Sequence, residues 1–162
     1  MKNLSWLLGA TFLLLLGACS TPADYYTAIT KETAKVEKET LNIATLLKER
    51  NIEEAQHAFE KGKKQTSKSL KKLEQMSVFR DNDALRQAAI EFVAFYDGLF
   101  NNEYQKAFDL LKREGSYTAE EADLLYEMMS IISILGTEVR RHLHDEQLAF
   151  IKEYGLIVSK KP

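Results

Sequence analysis

The chain reads as all-α, an up-down-up-down four-helix bundle that follows an N-terminal signal segment, and three observations predict it. Only 2 prolines occur, Pro22 and Pro162, so no residue between them is barred from a helix by a missing backbone N–H. Apolar residues recur at helical spacing along four long stretches. Capping signals separate those stretches, and four long helices in sequence with short turns most simply pack as antiparallel neighbours.

The first helix is expected over 24–50. Ile29, Val36, Ile43 and Leu47 make one stripe that Tyr25, Thr33 and Thr40 fill out, while Lys31, Glu32, Lys35, Glu37, Lys38, Glu39, Lys48 and Glu49 read as a solvated surface of mixed sign. Asn51 followed by Glu54 reads as a capping box, so the second helix is expected over 52–76. Its apolar side carries Ile52, Ala55, Phe59, Gly62, Thr66, Leu70 and Leu73. Its outer face carries Lys61, Lys64, Lys68, Lys71 and Lys72.

Residues 77–82 lack periodicity and read as a connection, with Val78 and Phe79 tucked back onto the core. The third helix is expected over 83–113, on a stripe of Leu85, Ala88, Ala89, Phe92, Phe95, Tyr96, Leu99, Ala107, Leu110 and Leu111. Gly98 and the pair Asn101 and Asn102 weaken its middle, where a kink or an early stop is expected; glycine costs about 1 kcal/mol relative to alanine in a helix.

Gly115 suits a C-terminal cap, and Thr118 with Glu121 makes a second capping box. The fourth helix is expected over 119–154, on Ala122, Leu125, Met128, Met129, Ile132, Leu135, Val139, Leu143, Ala149 and Phe150, and Gly155 ends it. In the tail, 156–162, Leu156 or Ile157 is expected on the end of the bundle, whose body spans 25–155.

Ahead of all this stands an apolar run from Leu4 that ends at Leu16, Gly17, Ala18 and Cys19. Lys2 supplies a positive start, and no charged residue follows until Asp24. This run resembles a bacterial lipobox signal peptide. The resemblance implies that Leu16, Gly17 and Ala18 form the recognition site of lipoprotein signal peptidase. It also implies that residues 1–18 are removed and that Cys19 becomes the acylated first residue, with 19–24 as a short tether.

An uncleaved membrane span is the competing reading. Small residues directly before the single cysteine, and Pro22 just after it, argue against that. Each buried methylene contributes about 0.8 kcal/mol, so several palmitate-type chains on Cys19 would anchor the domain almost irreversibly. By resemblance to the sorting rule of Gram-negative lipoproteins, Ser20 in place of aspartate favours the outer membrane.

Charge excludes one partner class. The chain has 22 basic and 24 acidic residues, a net −2, and loss of Lys2 with the signal segment leaves −3. Nucleic-acid binders concentrate Lys and Arg on one face, so none is expected as a partner. With 1 Cys, no internal disulfide forms, and an oxidising compartment is harmless to the mature domain.

No constellation for chemistry is recognisable. Glu54 and His57 have the Glu-x-x-His spacing of di-iron bundles, but the second copy is missing, with Val139 before His142 and Arg141 before His144. Glu138, His142, Asp145 and Glu146 stripe the fourth helix with His144 nearby, and such faces are usually solvated. Met128 and Met129 read as core fillers, and no haem attachment motif, Ser-His-Asp set or phosphate loop occurs. The expectation is therefore no enzyme, no cofactor and no metal.

The aromatics Tyr25, Tyr26, Phe95, Tyr96, Phe100, Tyr104, Phe108 and Tyr117 exceed what one seam can bury, which leaves a partner surface or homodimer open. Across 25–154 the pattern resembles small bacterial surface lipoproteins of unknown activity. The matching residues are Tyr26 with Ile29, Leu70 with Leu73 and Glu74, Phe95 with Tyr96, Glu103 with Tyr104, and Gln147 with Phe150 and Tyr154. The resemblance implies a helical-bundle domain at the cell envelope, held to membrane lipid by Cys19. A protein partner in the envelope is the expected function, and a bundle that binds a small apolar ligand or a metal ion is the alternative.

Overall fold

The computed structural model describes residues 21–101, 103–113 and 116–157. Among them the fold is all-helical: α1 Pro22–Lys48, α2 Ile52–Gln75, α3 Ala84–Asn101, α4 Glu103–Leu111 and α5 Ala119–Tyr154. No strand forms there, and the one bridge, Phe79 with Asn82, closes a turn.

Side-chain contacts set the directions. Glu39 of α1 meets Lys61 of α2, and Glu32 meets Ser69 and Lys72, so α1 and α2 are antiparallel. Asp97 of α3 accepts from Thr66 and Ser67 of α2, while Arg86 donates to the Leu73 carbonyl. Asn82 and Glu153 meet at 2.6 Å, and Tyr96 meets Arg140, so α5 returns along α3 in the opposite sense. The core is aromatic: Phe59 packs on Phe100 and Phe108 at one end, and Tyr25 packs on Phe79 and Phe150 at the other. Aromatic pairs at such centroid distances add about 0.5–1.5 kcal/mol beyond area burial.

Helix starts follow the chemistry of unpaired backbone N–H groups. The Thr118 and Glu121 box closes reciprocally, as expected. Asn51 accepts from the Glu54 N–H at 3.4 Å. A box the sequence reading missed joins Thr21 and Asp24, with Pro22 in the first turn, so 22–24 are helix rather than tether. Gly155 takes the left-handed conformation (φ 62°), and the Leu156 N–H donates to the Ile151 carbonyl at 3.0 Å, which ends α5 as expected.

The third expected helix is two helices. α3 stops at Asn101 and α4 begins at Glu103, flanking Asn102, which lies outside the described residues together with Gly115. The Asn101 side chain donates to the Asp97 carbonyl, a bond that competes with the helical ladder just where α3 ends.

Two further expectations are corrected. Glu32 and Glu39 are buried rather than solvated, because Lys35, Lys61 and Lys72 lay their stems over the α1–α2 seam and bring their ammonium groups to these carboxylates. Burial pushes the Glu32 carboxyl up, but hydrogen bonds from Lys35, Lys72 and Ser69 outweigh it and hold the group below its usual range. Val78 is exposed, while its neighbour Phe79 is buried as expected.

Candidate functional site

α1 and α5 touch at few points. Tyr26 packs on Phe150, and Glu37 reaches Arg140 at 3.7 Å. The α1 residues that turn this way, Thr30, Thr33 and Glu37, are too small or too polar to close the seam with apolar packing. A cleft of about 500 Å³ opens there.

Its apolar side is formed by Phe92 of α3 and Leu143 of α5, both buried. Arg140, Arg141 and His144 of α5 line the rim opposite Thr33 and Glu37. Arg140 is partly committed, because it donates to the Tyr96 hydroxyl at 3.3 Å besides facing Glu37. The donor set suits an anionic group, since guanidinium forks match carboxylate and phosphate geometry. The lining presents a cationic rim beside an apolar wall.

Further along α5 the molecule presents apolar side chains to solvent. Leu124, Tyr126, Ile134 and Leu135 of α5 are exposed, Tyr126 to 75% and Ile134 to 61%. Leu135 and Ala122 were expected in the stripe; both are exposed, while Met128, Met129 and Ile132 have side chains outside the described set. Continuing the register of Tyr26 with Phe150 and Glu37 with Arg140 puts Leu41, itself exposed, level with Gly136. There α5 turns Gly136 against Phe95 and Tyr96 of α3, which leaves Ile134 and Leu135 on other sides of the helix.

The histidines scatter. His57 is exposed on α2, His142 faces Glu91 at 3.6 Å, and His144 lies in the cleft. Among the described residues no group of three or more His, Cys, Asp or Glu side chains converges to hold a metal ion. Glu138 and Asp145 are exposed and Glu146 is half-buried. Most of the aromatics are core, including Phe100 and Phe108, whereas Tyr117 and Tyr126 are exposed. Leu16, Gly17, Ala18 and Cys19 lie outside the described residues, and among those described no helix is long and apolar enough to cross a membrane.

The sequence reading missed the cleft. Its signal is a second α1 line, Tyr26, Thr30, Thr33 and Glu37, whose small and polar middle gives α5 little to pack against. No family model, no curated protein and no solved structure matches this chain.

Proposed function

We propose that this chain is a lipid-anchored lipoprotein of the bacterial envelope, acylated at Cys19, whose mature part is a non-enzymatic four-helix interaction module. The recognition residues Leu16, Gly17 and Ala18 before the single cysteine support the anchor. The antiparallel order of α1, α2, the α3 and α4 segment, and α5 supports the bundle.

The observation that carries the interaction reading is the exposed apolar set along the α1–α5 seam: Tyr126, in helical phase with His144, Ile134 within a quarter-turn of it, and Leu41 of α1. Its geometry fits an apolar-faced helix of an envelope protein, laid along the incompletely closed α1–α5 seam as a further member of the bundle. Crosslinking in cells, followed by identification of what co-purifies, tests this with Cys19→Ser as the unanchored form and Tyr126→Glu with Ile134→Glu as the blocked face. One discrete partner, lost with the blocked face, is expected. Undiminished capture by the blocked form contradicts the reading.

A second reading rests on the cleft, which suits a small ligand with an apolar part against Phe92 and Leu143 and an anionic part at Arg141. Thermal stability raised by such an amphiphile, and unaffected by it in Arg141→Gln, is its signature.

A further inference from the structure

The distance between Cys19 and the folded domain is short. α1 begins at Pro22, and Thr21 is held as its cap by Asp24. Only Ser20 lies between Cys19 and Thr21, and two chain steps of at most about 3.6 Å each keep the cap within about 7 Å of the cysteine.

The end of the bundle that carries Thr21 is well defined. Tyr25 stacks on Phe79 at 5.1 Å and meets the tilted ring of Phe150 at 5.8 Å, which gathers the 76–83 turn and the end of α5 around the start of α1. Phe79 also meets Tyr154 at 5.4 Å. Packed side chains hold this end together, and its exposed residues include two large aliphatic ones among polar neighbours such as Ser77 and Asp81. Val78 is 47% exposed and Ile157 is 96% exposed, while Leu156 between Gly155 and Ile157 packs on the core. Arg80 and Asp81 turn the loop tip in left-handed conformations (φ 47° and 64°), which keeps the tip compact.

Charge at this end leans acidic, with Asp24, Asp81, Asp83 and Glu153 against Arg80, Arg86 and Lys152. Attraction to anionic lipid is therefore not the driving term.

We propose that this end is a membrane-contact face, on which Val78 and Ile157 enter the headgroup region of the bilayer that holds Cys19. The inference rests on the acylation of Cys19. The short link brings the face to the lipid, and burial of two aliphatic side chains restricts the tilt that a single attachment point would leave free. Tyr126 is 28 residues from Tyr154 along α5, so the apolar partner face stands about 40 Å above the bilayer at about 1.5 Å per residue.

Fluorescence depth measurements test this directly. The sole tryptophan of the sequence, Trp6, lies in the segment the lipobox removes, so an introduced tryptophan is the only one in the mature lipoprotein. Lipidated Val78→Trp and Ile157→Trp forms, with Tyr126→Trp as the distal reference, are reconstituted into phosphatidylcholine vesicles with and without brominated lipid. Retention on washed vesicles is measured on the same samples.

The expected result is retention of all three, with quenching of about two-fold at positions 78 and 157 and little at 126, unchanged when anionic lipid is added. Retention with all three equally unquenched overturns the contact face and leaves the anchor standing. Loss of all three from washed vesicles overturns the anchor, and the contact face with it. Quenching that requires anionic lipid overturns the apolar contact.

Discussion

Thr21 and Asp24 hold each other across the first turn of α1: the Asp24 N–H donates to the Thr21 hydroxyl oxygen at 3.1 Å, and the Thr21 N–H donates to the Asp24 carboxylate at 3.1 Å. The pair satisfies backbone donors that a helix start leaves open, and it does so two residues from Cys19. Thr21→Ala in the unanchored Cys19→Ser form is expected to lose about 1 kcal/mol in urea denaturation, with Thr21→Ser close to wild type. Equal stability of all three forms would show that the cap does not hold the helix start.

Inside the α1–α2 seam, Ser69 donates to Glu32 at 2.9 Å, and both residues are buried. Lys72 reaches the same carboxylate at 3.0 Å from a half-exposed position. Removing a buried donor to a charged group costs about 1.5–3 kcal/mol, whereas an exposed ion pair contributes less than about 1 kcal/mol. Denaturation should therefore rank Ser69→Ala as more damaging than Lys72→Ala, and the reverse order would contradict the account of this seam.

Glycines at two helix positions should respond to alanine with opposite signs. At Gly98 an added Cβ meets nothing within 4 Å, so Gly98→Ala is expected to stabilise by about 0.5–1 kcal/mol. At Gly62 the same atom would lie 3.1 Å from Phe100 and 3.4 Å from Ile43, both fully or nearly fully buried. Overpacking there is expected to exceed the helical gain and leave a net loss of about 1 kcal/mol. Thermal melting of the two variants against wild type checks both signs.

The junction of α4 and α5 is pH-sensitive in one direction. Arg113 grips the Glu121 carboxylate with two N–H groups at 2.5 and 2.7 Å, and the Thr118 N–H adds a third donor. Together these lower the Glu121 carboxyl to about 2, from an ordinary value of 4.5. Because the folded value is depressed, the stabilisation is fully present above 4.5 and is lost as pH falls toward 2. The Thr118 and Ala122 amides should stay protected at neutral pH, and their exchange relative to the intrinsic rate at each pH should rise across that acidic window. In Arg113→Gln the rise should begin nearer 4.5; no displacement would mean that Arg113 does not set the Glu121 carboxyl.

The helices were legible where one physical signal dominated. The spacing of Ile29, Val36 and Ile43 marks a buried stripe, and Thr118 with Glu121 marks a helix start, because each follows from the helix's own geometry. Glu32 and Glu39 defeated the same logic, since their burial involves lysines that a different helix supplies, Lys61 for Glu39 and Lys72 beside the local Lys35 for Glu32. The end of α3 at Asn101 was foreshadowed by Gly98 and the asparagine pair. The cleft was not legible, because it depends on what Thr33 and Glu37 fail to fill once α5 lies beside them. The exposure of Ile134 and Leu135 was likewise hidden in a periodicity that does not say which stripe finds a neighbour.

The most direct test of the account is the intact mass of the mature protein purified from the membranes of its own cells, beside the Cys19→Ser form. The prediction is a chain that begins at Cys19, lacks residues 1–18 and carries the added mass of several acyl chains, with none of that mass on Cys19→Ser. An N-terminus anywhere other than Cys19, or a Cys19 without acyl mass, would contradict the anchored interaction module.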